Sequence, residues 1–105
     1  MFRIFKNLFT STADNPIKEA VKAGAFLVDV RTPAEFSGGS VQAAVNIPLD
    51  KIPGQLLQFS KKDSIIVFCR SGNRSRIAKT ILEQNGFQNV LNGGTWKKVN
   101  RSINK

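Results

Sequence analysis

Ser64-Ile65-Ile66-Val67-Phe68-Cys69-Arg70-Ser71-Gly72-Asn73-Arg74-Ser75 joins an apolar run, a cysteine and a glycine-containing polar stretch in immediate succession. Ser64 to Phe68 is short, apolar and rich in β-branched residues, which predicts a buried strand. Cys69 to Ser75 is small, polar or cationic and reads as a loop. Beyond it Ile77, Ala78, Ile81 and Leu82 recur at helical spacing and are expected to face inward. Gly86 is placed to stop that helix near Asn85. Strand, loop and helix in this order make half of a βαβ unit, and such units build parallel sheets.

The rest of the chain repeats the alternation. Asp14 to Gly24 predicts a helix, with Asp14 or Asn15 as its cap, Pro16 in its first turn, and Ile17, Ala20 and Val21 on one face. Ala25 to Val30 is almost unbroken in apolar character, as expected of a strand covered on both faces. Pro33 opens a short helical turn through Glu35 and Phe36, Gly38-Gly39 marks a turn, and Ala44 to Ile47 reads as extended. Asp50 is positioned to cap a helix toward Gln58, with Pro53 in its first turn. Phe87 to Leu91 predicts a last strand, Gly93-Gly94 a turn, and Thr95-Trp96 a last helical turn. The expected fold class is α/β, a mostly parallel central sheet flanked by helices. The expected organisation is an N-terminal segment over 1–13, one domain over 14–98 and a polar, frayed tail over 99–105.

The length of 105 residues suits one small core rather than two. No run is long and apolar enough to span a bilayer. Phe2 to Phe9 mixes cations with large apolar side chains and lacks the pattern of a secretory signal, so it is expected to pack on the domain rather than anchor it to a membrane. Cytoplasmic location is the expectation. Sixteen Lys and Arg against seven Asp and Glu give a formal charge of +9, which concentrates anions near the surface. These cations are dispersed and accompany no nucleic-acid motif, so nucleic acid is not the expected partner. One cysteine and no histidine rule out an intrachain disulfide, a Cys-rich metal site and a Cys-His nucleophile pair. Neither metal nor cofactor is expected.

Open parallel sheets bind ligands beyond the carboxyl ends of their strands, and Cys69 stands there, ahead of a helix amino terminus. A tight loop of small residues can turn successive backbone N–H groups toward one centre, and the helix adds its own unpaired N–H groups. Arg70 and Arg74 reinforce the positive bias. Such a site suits an oxyanion, a thiolate or a terminal persulfide sulfur. A lowered thiol pKa raises the thiolate fraction, the form that attacks electrophilic sulfur. The plainer alternative is a space-filling cysteine beside solvated arginines, which leaves the glycine loop without a role.

The loop Cys69-Arg70-Ser71-Gly72-Asn73-Arg74-Ser75 closely resembles the active-site loop of the single-domain rhodanese (thiosulfate sulfurtransferase) family. The likeness extends upstream to Asp29-Val30-Arg31, Pro33, Glu35-Phe36, Gly39, Ala44 and Asn46-Ile47-Pro48. Downstream it takes in Gly86-Phe87, Val90, Gly93-Gly94 and Trp96, all in the family's order. The resemblance implies a sulfurtransferase in which Cys69 takes sulfane sulfur from thiosulfate or polysulfide as a persulfide. The acceptor would be cyanide, a small thiol or a protein thiol. It further implies that backbone N–H groups of Arg70, Ser71, Gly72, Asn73, Arg74 and Ser75 hold the sulfur, and that Arg74, with Arg70, binds an anionic donor. Asp29, Arg31 and Glu35 would support the pocket, Arg31 pairing with Glu35 and Asp29 bracing a neighbouring loop. Phe36 and Trp96 are expected in the core or pocket wall.

Where the family commonly has Gly-His-Ile-Pro-Gly-Ala, this chain reads Gly39-Ser40-Val41-Gln42-Ala43-Ala44. These departures bear on loop geometry and not on the nucleophile. The family's opening strand is poorly marked, with Phe2 to Phe9 in its place. Two other readings compete. A cysteine phosphatase or arsenate reductase uses a similar loop, but the phosphatase pattern sets Arg six positions after Cys, where Ser75 stands here, and Arg74 falls at five. A non-catalytic binding or regulatory module on the same fold usually lacks the cysteine, which this chain keeps.

Overall fold

The computed structural model describes residues 15–104. The expectations for Phe2 to Phe9 and for Asp14 as a cap lie outside the described residues. The elements run α1 (Pro16–Lys22), β1 (Phe26–Asp29), α2 (Pro33–Ser37), β2 (Val45–Asn46), two 3-10 turns (Leu49–Gly54 and Leu56–Phe59), β3 (Ile65–Cys69), α3 (Asn73–Gln84), β4 (Val90–Thr95) and α4 (Trp96–Ile103). The strands form one sheet in the order β2-β1-β3-β4, and every pairing is parallel, in line with the mostly parallel sheet expected from the α/β alternation. Every residue of central β3 is buried, because helices cover both of its faces. By the two-residue alternation of a strand, Val67 and Cys69 pack with Ala78 and Leu82 of α3, while Ile66 and Phe68 pack with Ile17 and Val99 on the other side. No helix among the described residues is long and apolar enough to cross a membrane.

Local chemistry sets the helix starts. Asn15 Oδ1 accepts the N–H groups of Ile17 and Lys18 at 3.0 and 3.4 Å, capping α1 as its sequence predicts. Thr32 and Glu35 form a reciprocal capping box at α2.

Several expectations are corrected. Ile77 does not face inward but is 41% exposed, since α3 is rotated to bury Ser75, Ala78 and Leu82. That helix begins at Asn73, so the loop after Cys69 is shorter than the sequence suggests. The helix expected from Asp50 to Gln58 is replaced by the two 3-10 turns, with Pro53, which lacks an N–H, inside the first. Gly93-Gly94 is no turn but part of β4, which starts at Val90 rather than Phe87. Gly93 is an extra residue in the pairing, since Val67 opposes Asn92 and Phe68 opposes Gly94. A Cβ on Gly93 would stand 2.7 Å from Val99 Cγ2, so the bulge requires glycine. The chain after Val99 is not a frayed tail: α4 runs to Ile103 and buries Val99 and Ser102, and Asn15 Nδ2 donates to Ser102 Oγ at 2.6 Å.

Ala43 adopts φ +73°, in the left-handed region, where the resembled motif has glycine. A side chain costs roughly 1–2 kcal/mol there. Ala43→Gly is expected to raise stability by about 0.5–1 kcal/mol, after the greater freedom of glycine in the unfolded chain is subtracted. An upward shift of the urea midpoint at constant slope checks it.

Candidate active site

Cys69 ends β3 with its side chain buried, and the chain then turns through Gly72 at φ +98° into α3. This turn aims N–H groups back at the sulfur. Gly72 N–H donates to Cys69 Sγ at 3.0 Å and Ser75 N–H at 3.4 Å, and Ser75 Oγ lies 3.4 Å away. The Arg76 N–H bonds Gly72 O at 3.1 Å, so the N–H groups of Asn73, Arg74 and Ser75 belong to the unpaired first turn of α3. Burial pushes the Cys69 thiol up, but the Ser75 hydroxyl and the N–H groups of Ser75, Gly72 and Ser71 outweigh it. The thiol pKa therefore falls below its ordinary value.

Asn92, a residue that sequence reasoning missed, ties this loop to β4. Its Oδ1 accepts the Ser75 hydroxyl at 2.6 Å and the Gly94 N–H at 2.9 Å, and its Nδ2 donates to Gly72 O at 3.2 Å. Because the single Ser75 proton can go to Asn92 Oδ1 as well as to the sulfur, the backbone N–H groups are the steadier partners of a Cys69 thiolate. The one sequence signal is a polar Asn beside two glycines in a segment that folds as a strand, where all three residues are disfavoured.

The residues named for the pocket wall pair differently from expectation. The Asp29 carboxylate accepts Arg31 Nη2 at 2.7 Å, Arg31 Nε at 3.0 and 3.1 Å, and the Arg31 backbone N–H at 3.0 Å. Ser40, standing where the family commonly has histidine, donates its hydroxyl to Asp29 Oδ2 at 2.6 Å, and Arg31 Nη2 reaches Gly39 O at 2.6 Å. The expected Arg31–Glu35 pair is not formed. Arg31 turns inward to Asp29, with the two side chains 6% and 0% exposed, and packs 5.1 Å from the centroid of the Trp96 ring. Glu35 instead crosses to α3, accepting Arg74 Nη1 at 2.7 Å and Nη2 at 3.0 Å. Burial favours the first pair, because an arginine entering the interior must be matched by the carboxylate already there.

The Arg74 hydrogen bonds, followed by the Thr32 backbone N–H, lower the Glu35 carboxyl to about 2, and the same contact raises Arg74. A carboxyl depressed from 4.5 contributes stability that is present above pH 4.5 and lost as pH falls toward 2. Glu35→Gln is accordingly expected to lower Tm modestly at neutral pH and to flatten its acid-side decline across that window, the two proteins converging near pH 2. The pair is 34% and 29% exposed and so screened by solvent. Thermal melts at stepped pH check it.

A cleft of 560 Å³ opens beside the loop, walled by Arg31, Glu35, Arg70, Trp96, Lys97 and Arg101. Arg70 is exposed at its edge. Ser71 on the loop and Asn73 at the start of α3 are exposed, and Ser75 is buried. The structure thus gathers Arg70 to Ser75 around Cys69, with Glu35 joined through Arg74, while Arg31, held by the buried Asp29, forms the wall beside Trp96.

Fold and site together define an α/β domain whose single thiol is held at the carboxyl edge of a parallel sheet by the head of a helix. The family model of the Rhodanese-like domain matches residues 12–98, and the chain belongs to that family. It is 41% identical over 66 residues to a protein named "Sulfurtransferase" from Allochromatium vinosum, covering 63% of this chain and 62% of that one, so it spans less than two thirds of that relative. It is 35% identical over 81 residues to "Thiosulfate sulfurtransferase PspE" of Escherichia coli, covering 75% of this chain and 78% of the relative. Among solved structures, "rhodanese with anions from E. coli" superposes with a TM-score of 0.66 at 33% identity, covering 70% of this chain and 89% of that one.

Proposed function

We propose that this chain is a sulfurtransferase that moves sulfane sulfur from thiosulfate or polysulfide to a thiophilic acceptor through a persulfide on Cys69. The supporting observation is the pair of N–H bonds from Gly72 and Ser75 to Cys69 Sγ at the head of α3. In the first half-reaction the Cys69 thiolate attacks the outer sulfur of thiosulfate. A new Sγ–S bond forms, the S–S bond of the donor breaks, and sulfite leaves with its electron pair. The transferred sulfur is anionic, and the unpaired N–H groups of Asn73 and Arg74 are suited to it. Arg70 and Arg74 attract the dianionic donor, Arg74 from a position fixed by Glu35.

In the second half-reaction cyanide, a small thiolate or a protein thiolate attacks the outer sulfur. Cys69 leaves as a thiolate, stabilised by the N–H groups that activated it. The names of the Allochromatium and E. coli relatives, and of the anion-bearing rhodanese, support this reading. A reducing compartment such as the cytoplasm suits a site whose only thiol must be reduced to accept sulfur.

The pH dependence of persulfide formation tests the proposal. With the thiol pKa depressed, the rate rises with pH and levels off below the range of a free cysteine, about 8.5. Gly72→Ala, which forces a side chain into φ +98°, is expected to move that midpoint upward. A midpoint at or above the free-thiol range in the unaltered protein would count against the cradle as the activating device.

A further inference from the structure

We propose that the cleft between the Cys69 loop and α4 docks an acidic protein segment that carries the acceptor thiol. This rests on the sulfurtransferase reading and names its acceptor class. The first argument is size. At 560 Å³ the cleft lies within the roughly 300–1,000 Å³ of pockets that hold sizeable organic ligands, well beyond the need of one thiosulfate ion.

The second argument is the distribution of charge. Of the charges on the wall, Arg31 is matched by Asp29 and Glu35 by Arg74. Arg70, Lys97 and Arg101 form no ion pair among the described residues. Lys97 and Arg101 are four residues apart on α4 and share a face, and α4 contains no acidic residue. Thr95, just before that helix, pairs with Cys69 in the sheet. Arg101 therefore lies about 9 Å along the helix from the position beside the thiol, at about 1.5 Å per residue. Cations spaced along a helix, rather than gathered at the loop, match a ligand longer than the donor.

The third argument is chemical. The acceptor must bring a nucleophilic sulfur together with several negative charges, and a cysteine flanked by Asp and Glu does both. The arginine fork pairs with carboxylates in two-point geometry, and the Trp96 ring offers an apolar wall for the peptide. In the transfer itself the acceptor thiolate attacks the outer sulfur of the persulfide. The acceptor S–S bond forms, the Sγ–S bond breaks, and the electron pair returns to Cys69.

The test loads the full chain with thiosulfate, removes the donor, and follows sulfur transfer by mass to cysteine peptides of equal length flanked by Glu or by Gln. At low salt the acidic peptide is expected to react about tenfold faster or more. That advantage should fall below about threefold in Lys97→Gln/Arg101→Gln and in about 0.5 M salt. Thiosulfate loading of the double variant should stay within about threefold of the unaltered protein, since donor charge is met at the loop. Equal rates for the two peptides, an advantage that survives the double substitution, or competition by a short oligonucleotide but not by a cysteine-free acidic peptide would each overturn the docking. Failure of thiosulfate and polysulfide to load Cys69 at all would instead remove the sulfurtransferase reading, and the docking with it.

Discussion

Asp29→Ala is expected to destabilise the domain by about 3–5 kcal/mol, the cost of leaving a buried charge without its partner. Against a total stability of about 5–15 kcal/mol for a domain of this kind, that change leaves little in reserve. The carboxylate accepts the Arg31 guanidinium, the Arg31 backbone N–H and the Ser40 hydroxyl, and its side chain is 0% exposed. Removing it leaves the Arg31 guanidinium, 6% exposed, with Gly39 O as its remaining acceptor. The reverse experiment separates charge burial from shape. Asp29→Leu combined with Arg31→Met takes away both charges, and is expected to recover more than half of the loss. Urea unfolding of the three proteins checks both statements, and a loss below about 1 kcal/mol for Asp29→Ala would mean the pair is solvated in solution.

Cys69→Ser is expected to lower sulfur transfer by a factor on the order of 10³ or more while leaving the fold intact. The hydroxyl occupies less space than the thiol and can accept the same N–H groups, so the stability change should stay within about 1 kcal/mol. Chemistry, not packing, decides the effect. A serine hydroxyl is not appreciably ionised near neutral pH and forms no persulfide, and among the described residues the chain has no second thiol to take over. Turnover of thiosulfate with cyanide, measured beside a urea melt, separates the two.

The strand-loop-helix around Cys69 is legible in the sequence because its signals are local: a β-branched run, a glycine in the turn and a periodic apolar pattern. Ile77 is misplaced by the same pattern, since four apolar residues leave the angle of a helix face loosely defined. Its true orientation follows from Ser75 reaching Asn92 across the sheet. Gly93-Gly94 reads as a turn because glycine punctuates locally, whereas its actual reason is the approach of Val99 onto Gly93. The last helix is hidden because Lys97, Lys98, Asn100 and Arg101 outweigh its two buried positions, Val99 and Ser102.

Charge pairing fails for a related reason. Arg31 and Glu35 are suitably spaced along the chain, yet spacing says nothing of burial, and Asp29 is the carboxylate that the interior presents to Arg31. Asn92 carries no motif at all. Its place against the loop arises only when β4 is laid against β3 with a bulge.

The central claim, a persulfide on Cys69, is tested most directly by intact-protein mass after brief exposure of the reduced chain to thiosulfate, run beside Cys69→Ser. A gain of one sulfur atom, reversed by cyanide and absent from the variant, is the predicted result. A folded, reduced protein that gains no sulfur from thiosulfate or from polysulfide would contradict it.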